Sequence, residues 1–277
     1  MPAPKIISTS SSGLPKWKQS PVDLNEIHTW SENFGPLMLT GHWLGEGVAT
    51  MTNTGQTVKI ELANRSLPII RGGPLKDNDY QFENLQFRWG PSNCRGAEHS
   101  IDNFWYSMEA QAVHWNTRYG TIDKCYEKPD GIAVLSFFIQ VVGCPETPDN
   151  PSLADITDYL PKVKKAGTSV SIAPDCLRWI LETCLIGTGY YTYAGSMTTP
   201  PYNECVTWMV VPRATTISSF RALEQKIPDV RRVPQAQRWN MRPRVFFSGK
   251  LNQRQQSRDF FNQTVTISFT SRSQRRI

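Results

Sequence analysis

The amino-acid sequence predicts a mainly β protein of the α+β class, and two observations carry that expectation. Apolar segments are short, and they either alternate with polar residues or run through β-branched side chains. Examples are Thr57-Val58-Lys59-Ile60-Glu61-Leu62 and residues 132–142 and 205–211. Segments of that length and period, bounded by turn residues, read as strands. Chain breakers are also frequent, with 18 Gly and 20 Pro in 277 residues, which leaves little room for long uninterrupted helices. Residues 153–166 and 216–226 are the two helix candidates.

Composition fits one compact domain. A chain with 39% hydrophobic and 11% aromatic residues can bury a sizeable core at this length. The formal net charge is +6, but Lys and Arg are scattered rather than interleaved with aromatics on a recognisable module, so no nucleic-acid mode is indicated. No internal repeat, dinucleotide fingerprint or phosphate loop occurs. No segment reaches the ~18 apolar residues of a membrane-spanning helix. The four histidines, His28, His42, His99 and His114, include no pair at metal-ligand spacing. The six cysteines, Cys94, Cys125, Cys144, Cys176, Cys184 and Cys205, form no CxxC motif, so neither a zinc knuckle nor a thioredoxin-type site is expected. No Ser-His-Asp or Cys-His constellation stands out.

Five blocks of sequence are more specific. They are Gln19-Ser20-Pro21-Val22-Asp23, Glu98-His99-Ser100-Ile101-Asp102, and Glu109-Ala110-Gln111-Ala112-Val113-His114-Trp115-Asn116. Ser196-Met197-Thr198-Thr199-Pro200-Pro201 with Glu204-Cys205-Val206-Thr207-Trp208 is the fourth, and Asn240-Met241-Arg242-Pro243 the fifth. In content and order the blocks resemble the α-carbonic anhydrase family. The resemblance implies a large, twisted, mostly antiparallel central sheet with short peripheral helices. It also implies a division into an N-terminal tail (1–16), a domain (17–250) and a basic, Gln/Ser/Arg-rich extension (251–277).

Enzymes of this family hold Zn²⁺ with three histidines, two of them in a His-x-His step that aims both rings from one strand face. The resemblance places those positions at Gln86, Arg88 and Gln111, within Leu85-Gln86-Phe87-Arg88-Trp89-Gly90 and the third block. Gln86 and Arg88 still share a face, yet the donor chemistry is gone. Catalytic zinc takes nitrogen, thiolate or carboxylate ligands. A Gln carbonyl is a weak neutral donor, and Arg is a permanent cation without a lone pair. No metal or cofactor is therefore expected. Without zinc there is no bound water whose pKa falls from 15.7 to about 7, so no hydroxide forms at neutral pH. The family's proton-shuttle histidine falls at Gln56, which does not titrate near neutrality.

Other positions keep the family's character. By resemblance, Thr198 is the threonine that orients the zinc-bound hydroxide and Glu98 the glutamate that accepts from it. Val113, Val134, Met197, Val206 and Trp208 match the apolar pocket wall. These residues serve either a preserved pocket or simply the packing of a β domain. Arg88 requires acceptors, because an unpaired buried charge is costly. Glu109, which matches the carboxylate behind the third ligand, and Glu98 are the candidates. An internal Arg–Glu pair would plug the old metal hole; alternatively Arg88 with Gln86, Gln111 and Thr198 would form a small-anion site.

Both ends depart from the family. Residues 1–16 are Ser/Pro-rich, and 251–277 carry five Arg against Asp259 alone. Within the latter, residues 260–269 alternate well enough for one added strand. No signal peptide is visible, which reads at face value as cytoplasmic, or as secreted if the N-terminus is truncated. The sequons Asn64-Arg65-Ser66 and Asn262-Gln263-Thr264 bear on the second reading. Extracellular relatives commonly bridge two positions that here are Lys16 or Trp17 and Tyr202, so that bridge is absent. The combined expectation is a monomeric, catalytically inactive carbonic anhydrase-related protein that binds a protein or acidic glycan. The alternatives are a zinc-dependent carbonic anhydrase, as membership alone would suggest, and an enzyme of another kind using the old cavity.

Overall fold

The computed structural model describes residues 18–90, 94–141, 150–185, 189–217, 245–248, 250–251, 264–267 and 269–270. Among them one twisted sheet of 13 strands dominates. Its main path runs Ser169–Ile172, Val48–Asn53, Val58–Ala63, Tyr80–Trp89, Met108–Asn116, Ile132–Val141, Val206–Ile217, Tyr190–Gly195, Val245–Ser248, Thr29–Ser31. Leu37–Thr40, Ile69–Gly72 and Thr264–Ile267 branch from it at the Tyr80–Trp89 strand. Within this sheet, pairing is antiparallel except where Ile132–Val141 meets Val206–Ile217 and Val245–Ser248 meets Thr29–Ser31. The mainly β, mostly antiparallel expectation therefore describes the molecule.

Strand alternation divides the interior into two apolar clusters, one on each sheet face. Ala133, Leu135, Phe137 and Ile139 enter one cluster; Ile132, Val134 and Phe138 enter the other. The Tyr80–Trp89 strand changes parity partway. Val113 stands opposite Asn84 but His114 opposite Phe82, so Glu83 is the extra residue of a β-bulge. The bulge lets Leu85, Phe87 and Trp89 continue the apolar face begun by Tyr80 and Phe82. It thereby turns Asn84, Gln86 and Arg88 to the opposite face. A one-residue change of register would exchange the two sets.

Helix is sparse. Residues 153–166 are not one helix but a 3-10 turn at Pro151–Leu153, one α turn at Ala154–Thr157 and a second 3-10 turn at Leu160–Val163. Pro161, which has no N–H to give an α ladder, favours that interruption. Residues 216–217 end the Val206–Ile217 strand instead of starting a helix; 218–226 lie outside the described residues. The longest described helix is Arg178–Leu185, which lies outside both helix candidates. Leu177, Ile180 and Leu181 are buried at helical spacing, and Trp179 sets its ring edge-on to Phe137 at 5.1 Å. The added strand expected within 260–269 is present at Thr264–Ile267, paired to Leu37–Thr40. No helix among the described residues is long and apolar enough to cross a membrane.

His42 and His114, both fully buried, meet Nε2 to Nε2 at 3.1 Å. His114 Nδ1 donates to the Ala112 carbonyl at 3.0 Å, so its Nε2 is the acceptor and His42 Nε2 the donor. Burial forces both rings to stay neutral, holding His42 well below its ordinary value and His114 at about 3. The unfolded chain takes up these protons near pH 6.5 while the folded one does not. Stability therefore falls as pH drops from about 6.5 towards 3, by about 1.4 kcal/mol per pH unit for each ring that titrates only when unfolded. Urea unfolding between pH 7 and pH 5 will show this loss, and His114→Asn will make the slope shallower by about one proton.

Candidate functional site

The face opposite Phe87 is built by cross-strand register. Lys59, Gln86, Gln111 and Ser136 form one row across four strands. Asn84, Val113, Val134, Trp208 and Tyr193 form the row on one side, and Arg88 stands opposite Glu109 on the other. The fold thus brings Gln86, Arg88 and Gln111 together on adjacent strands. Val113, Val134, Val206 and Trp208 are buried in the same apolar cluster, with Met197 packed against it.

The polar contacts are fixed by what each group can do: a guanidinium only donates and a carboxylate only accepts. Arg88 Nε donates to Glu98 Oε1 at 3.1 Å, and its Nη2 to Gln86 Oε1 at 3.0 Å. That consumes the Gln86 carbonyl, and Gln86 Nε2 turns to Asn84 Oδ1 at 2.9 Å. Gln111 Nε2 donates to both Glu98 Oε2 at 3.0 Å and Glu109 Oε1 at 2.9 Å. The ion pair is nearly dry, with side-chain exposures of 11% for Arg88 and 15% for Glu98.

Glu109 is fully buried and takes donors from every side. Oε2 accepts from the backbone N–H groups of Glu98 and His99, each at 2.9 Å. Oε1 accepts from His99 Nδ1 at 2.8 Å, from Gln111, and from the Ser136 hydroxyl at 2.7 Å. Burial alone would raise its pKa, but His99 and the surrounding donors more than offset that and hold it well below the carboxylate range. His99 Nε2 continues to the Tyr193 hydroxyl at 2.6 Å, and Tyr193 to Ser20 Oγ at 3.0 Å. Ser20 and Ser196 exchange backbone and side-chain hydrogen bonds, and Trp208 Nε1 donates to the Ser196 carbonyl at 3.1 Å. The first sequence block is pinned to the site through this chain.

Two expectations change. Glu109 is not the partner of Arg88: its oxygens are filled by His99, Gln111, Ser136 and two backbone amides, so the guanidinium pairs with Glu98. Among the described residues no hydrogen bond joins Thr198 to Glu98, whose two oxygens are held by Arg88 and Gln111. Thr198 sits half-buried in the loop after Tyr190–Gly195. Gln56 is exposed in the turn between Val48–Asn53 and Val58–Ala63. The sequence reading missed Ser136 and Asn84. Ser136 did leave a signal, as the one polar side chain within the apolar run 132–139.

Residues 9–246 match the family model described as eukaryotic-type carbonic anhydrase. Carbonic anhydrase 3 of Equus caballus is 31% identical over 231 residues, covering 80% of this chain and 84% of that protein. Carbonic anhydrase 1 of Oryctolagus cuniculus is 31% identical over 220 residues, covering 74% and 86%. Carbonic anhydrase 3 of Homo sapiens is 31% identical over 215 residues, covering 73% and 74%. The strand order, the paired faces and these matches converge on one conclusion: the chain belongs to the eukaryotic-type carbonic anhydrase family.

Proposed function

We propose that this member of the family is catalytically inactive and acts by binding a partner, either a protein or an acidic glycan. The observation that carries the reading is the state of the three positions where zinc ligands would stand. At 88 there is a cation with no lone pair. At 86 the only carbonyl oxygen is held by that cation, and at 111 the amide nitrogen is committed to two carboxylates. These side chains do not fit zinc, which needs unprotonated nitrogen, sulfur or carboxylate oxygen donors converging at about 2.0–2.3 Å.

The Arg88–Glu98 pair favours the plug over the anion site. With Nε on Glu98, Nη2 on Gln86 and Nη1 directed at the Phe87 carbonyl at 3.4 Å, three of the five guanidinium N–H donors are taken within the protein, which leaves less to offer a carboxylate or bicarbonate. Glu98 beside it would also repel an anion. What remains available to a partner is the outer surface of the domain together with the two ends of the chain, 1–16 and 251–277, which carry all of the net +6 and suit an acidic ligand in a salt-dependent way.

Removal of one member of the pair leaves the other largely shielded from water and without its counter-charge. Arg88→Leu is expected to destabilise the fold by about 3 kcal/mol, and the double change Arg88→Leu with Glu98→Leu by less than that. Urea denaturation of the three proteins checks it, and equal losses would contradict the plug. The functional reading is tested by purifying the protein from zinc-supplemented cells and measuring bound metal and carbon dioxide hydration together. Empty, silent protein is the expected result. The triple reversion Gln86→His, Arg88→His, Gln111→His is expected to gain zinc. Stoichiometric zinc with hydration by the unmodified chain would overturn the reading.

A further inference from the structure

We infer that Ser136 is a fourth position, besides 86, 88 and 111, at which this chain is set against zinc. This deepens the proposed reading of the site and rests on it. Ser136 faces Gln111 directly across two antiparallel strands. Its hydroxyl donates to Glu109 Oε1 at 2.7 Å, and the side chain has no solvent exposure.

The reason lies in the number of acceptors. A carboxylate offers about four lone-pair sites. Glu109 already receives five donors: two backbone amides, His99 Nδ1, Gln111 Nε2 and Ser136 Oγ. Three of them crowd onto Oε1, the oxygen that faces position 111. A histidine placed there to bind metal would have to give its second ring N–H to this same oxygen, since such a contact fixes the tautomer and makes the ring a better ligand. Ser136 and His99 compete for it, so the imidazole would be weakly oriented and less basic. Restoring three histidines would therefore leave a handicapped site. Ser136 does not touch the metal position; it acts through Glu109.

The test compares the triple reversion with and without Ser136→Ala in a zinc titration against a competing chelator. Ser136→Ala is expected to tighten zinc binding by roughly 10- to 100-fold, the size of effect that partners behind metal ligands have. Equal affinity of the two proteins would overturn the part played by Ser136. Zinc found in the unmodified chain would instead sink the reading of the whole site, so the two failures are distinguishable. Should the triple reversion not fold, the single change Gln111→His decides. Its loss in thermal midpoint is expected to be smaller in the Ser136→Ala background, and strictly additive losses in that double-mutant cycle would overturn the inference.

Discussion

A carboxylate with no water around it must take all its hydrogen bonds from the protein, and Glu109 makes that demand at the centre of the sheet. Its neighbours are arranged to meet it. Backbone amides of Glu98 and His99 fix the segment that leads into the Met108–Asn116 strand. His99 links the carboxylate to Tyr193, and through Ser20 to the start of the described chain. Gln111, two residues along the same strand, and Ser136, on the neighbouring strand, close it. Segments far apart in sequence are thus tied to one buried charge, and breaking any tie exposes a polar group to an apolar interior.

Under the proposed reading, the same demand explains how a metal site could be lost without losing the fold. Three converging metal ligands leave a hole with a strong preference for positive charge, because two carboxylates stand behind it. Arg88 supplies the charge permanently, and Glu98 neutralises it at 3.1 Å. Gln111 gives Glu109 a donor and offers no nitrogen lone pair. Gln86 satisfies the guanidinium and passes its own amide to Asn84. Each of the three side chains meets the hydrogen-bonding needs of its neighbours, and together they form a continuous polar network.

Much of this was legible in the sequence, and the parts that were not have a common cause. Alternation across Gln86-Phe87-Arg88 placed the two side chains on one face. The composition of short β-branched runs anticipated the sheet. The partner of Arg88 was harder, because it depends on how many donors Glu109 already holds, and one of them is Ser136 on a strand 27 residues further along. The bulge at Glu83 is likewise a matter of register between two strands. Helix Arg178–Leu185 was obscured by Trp179, buried but off the stripe formed by Leu177, Ile180 and Leu181. Residues 153–166 had helical composition, but the stretch holds Pro161 and folds as separate turns.

The most direct measurement is diffraction from crystals grown with excess zinc, with anomalous data collected at the zinc edge. An inactive, self-closed site predicts Arg88 density reaching Glu98, Gln111 bridging Glu98 and Glu109, and no anomalous peak among residues 86, 88 and 111. A strong anomalous peak at that place, with Arg88 swung away from Glu98, would contradict it.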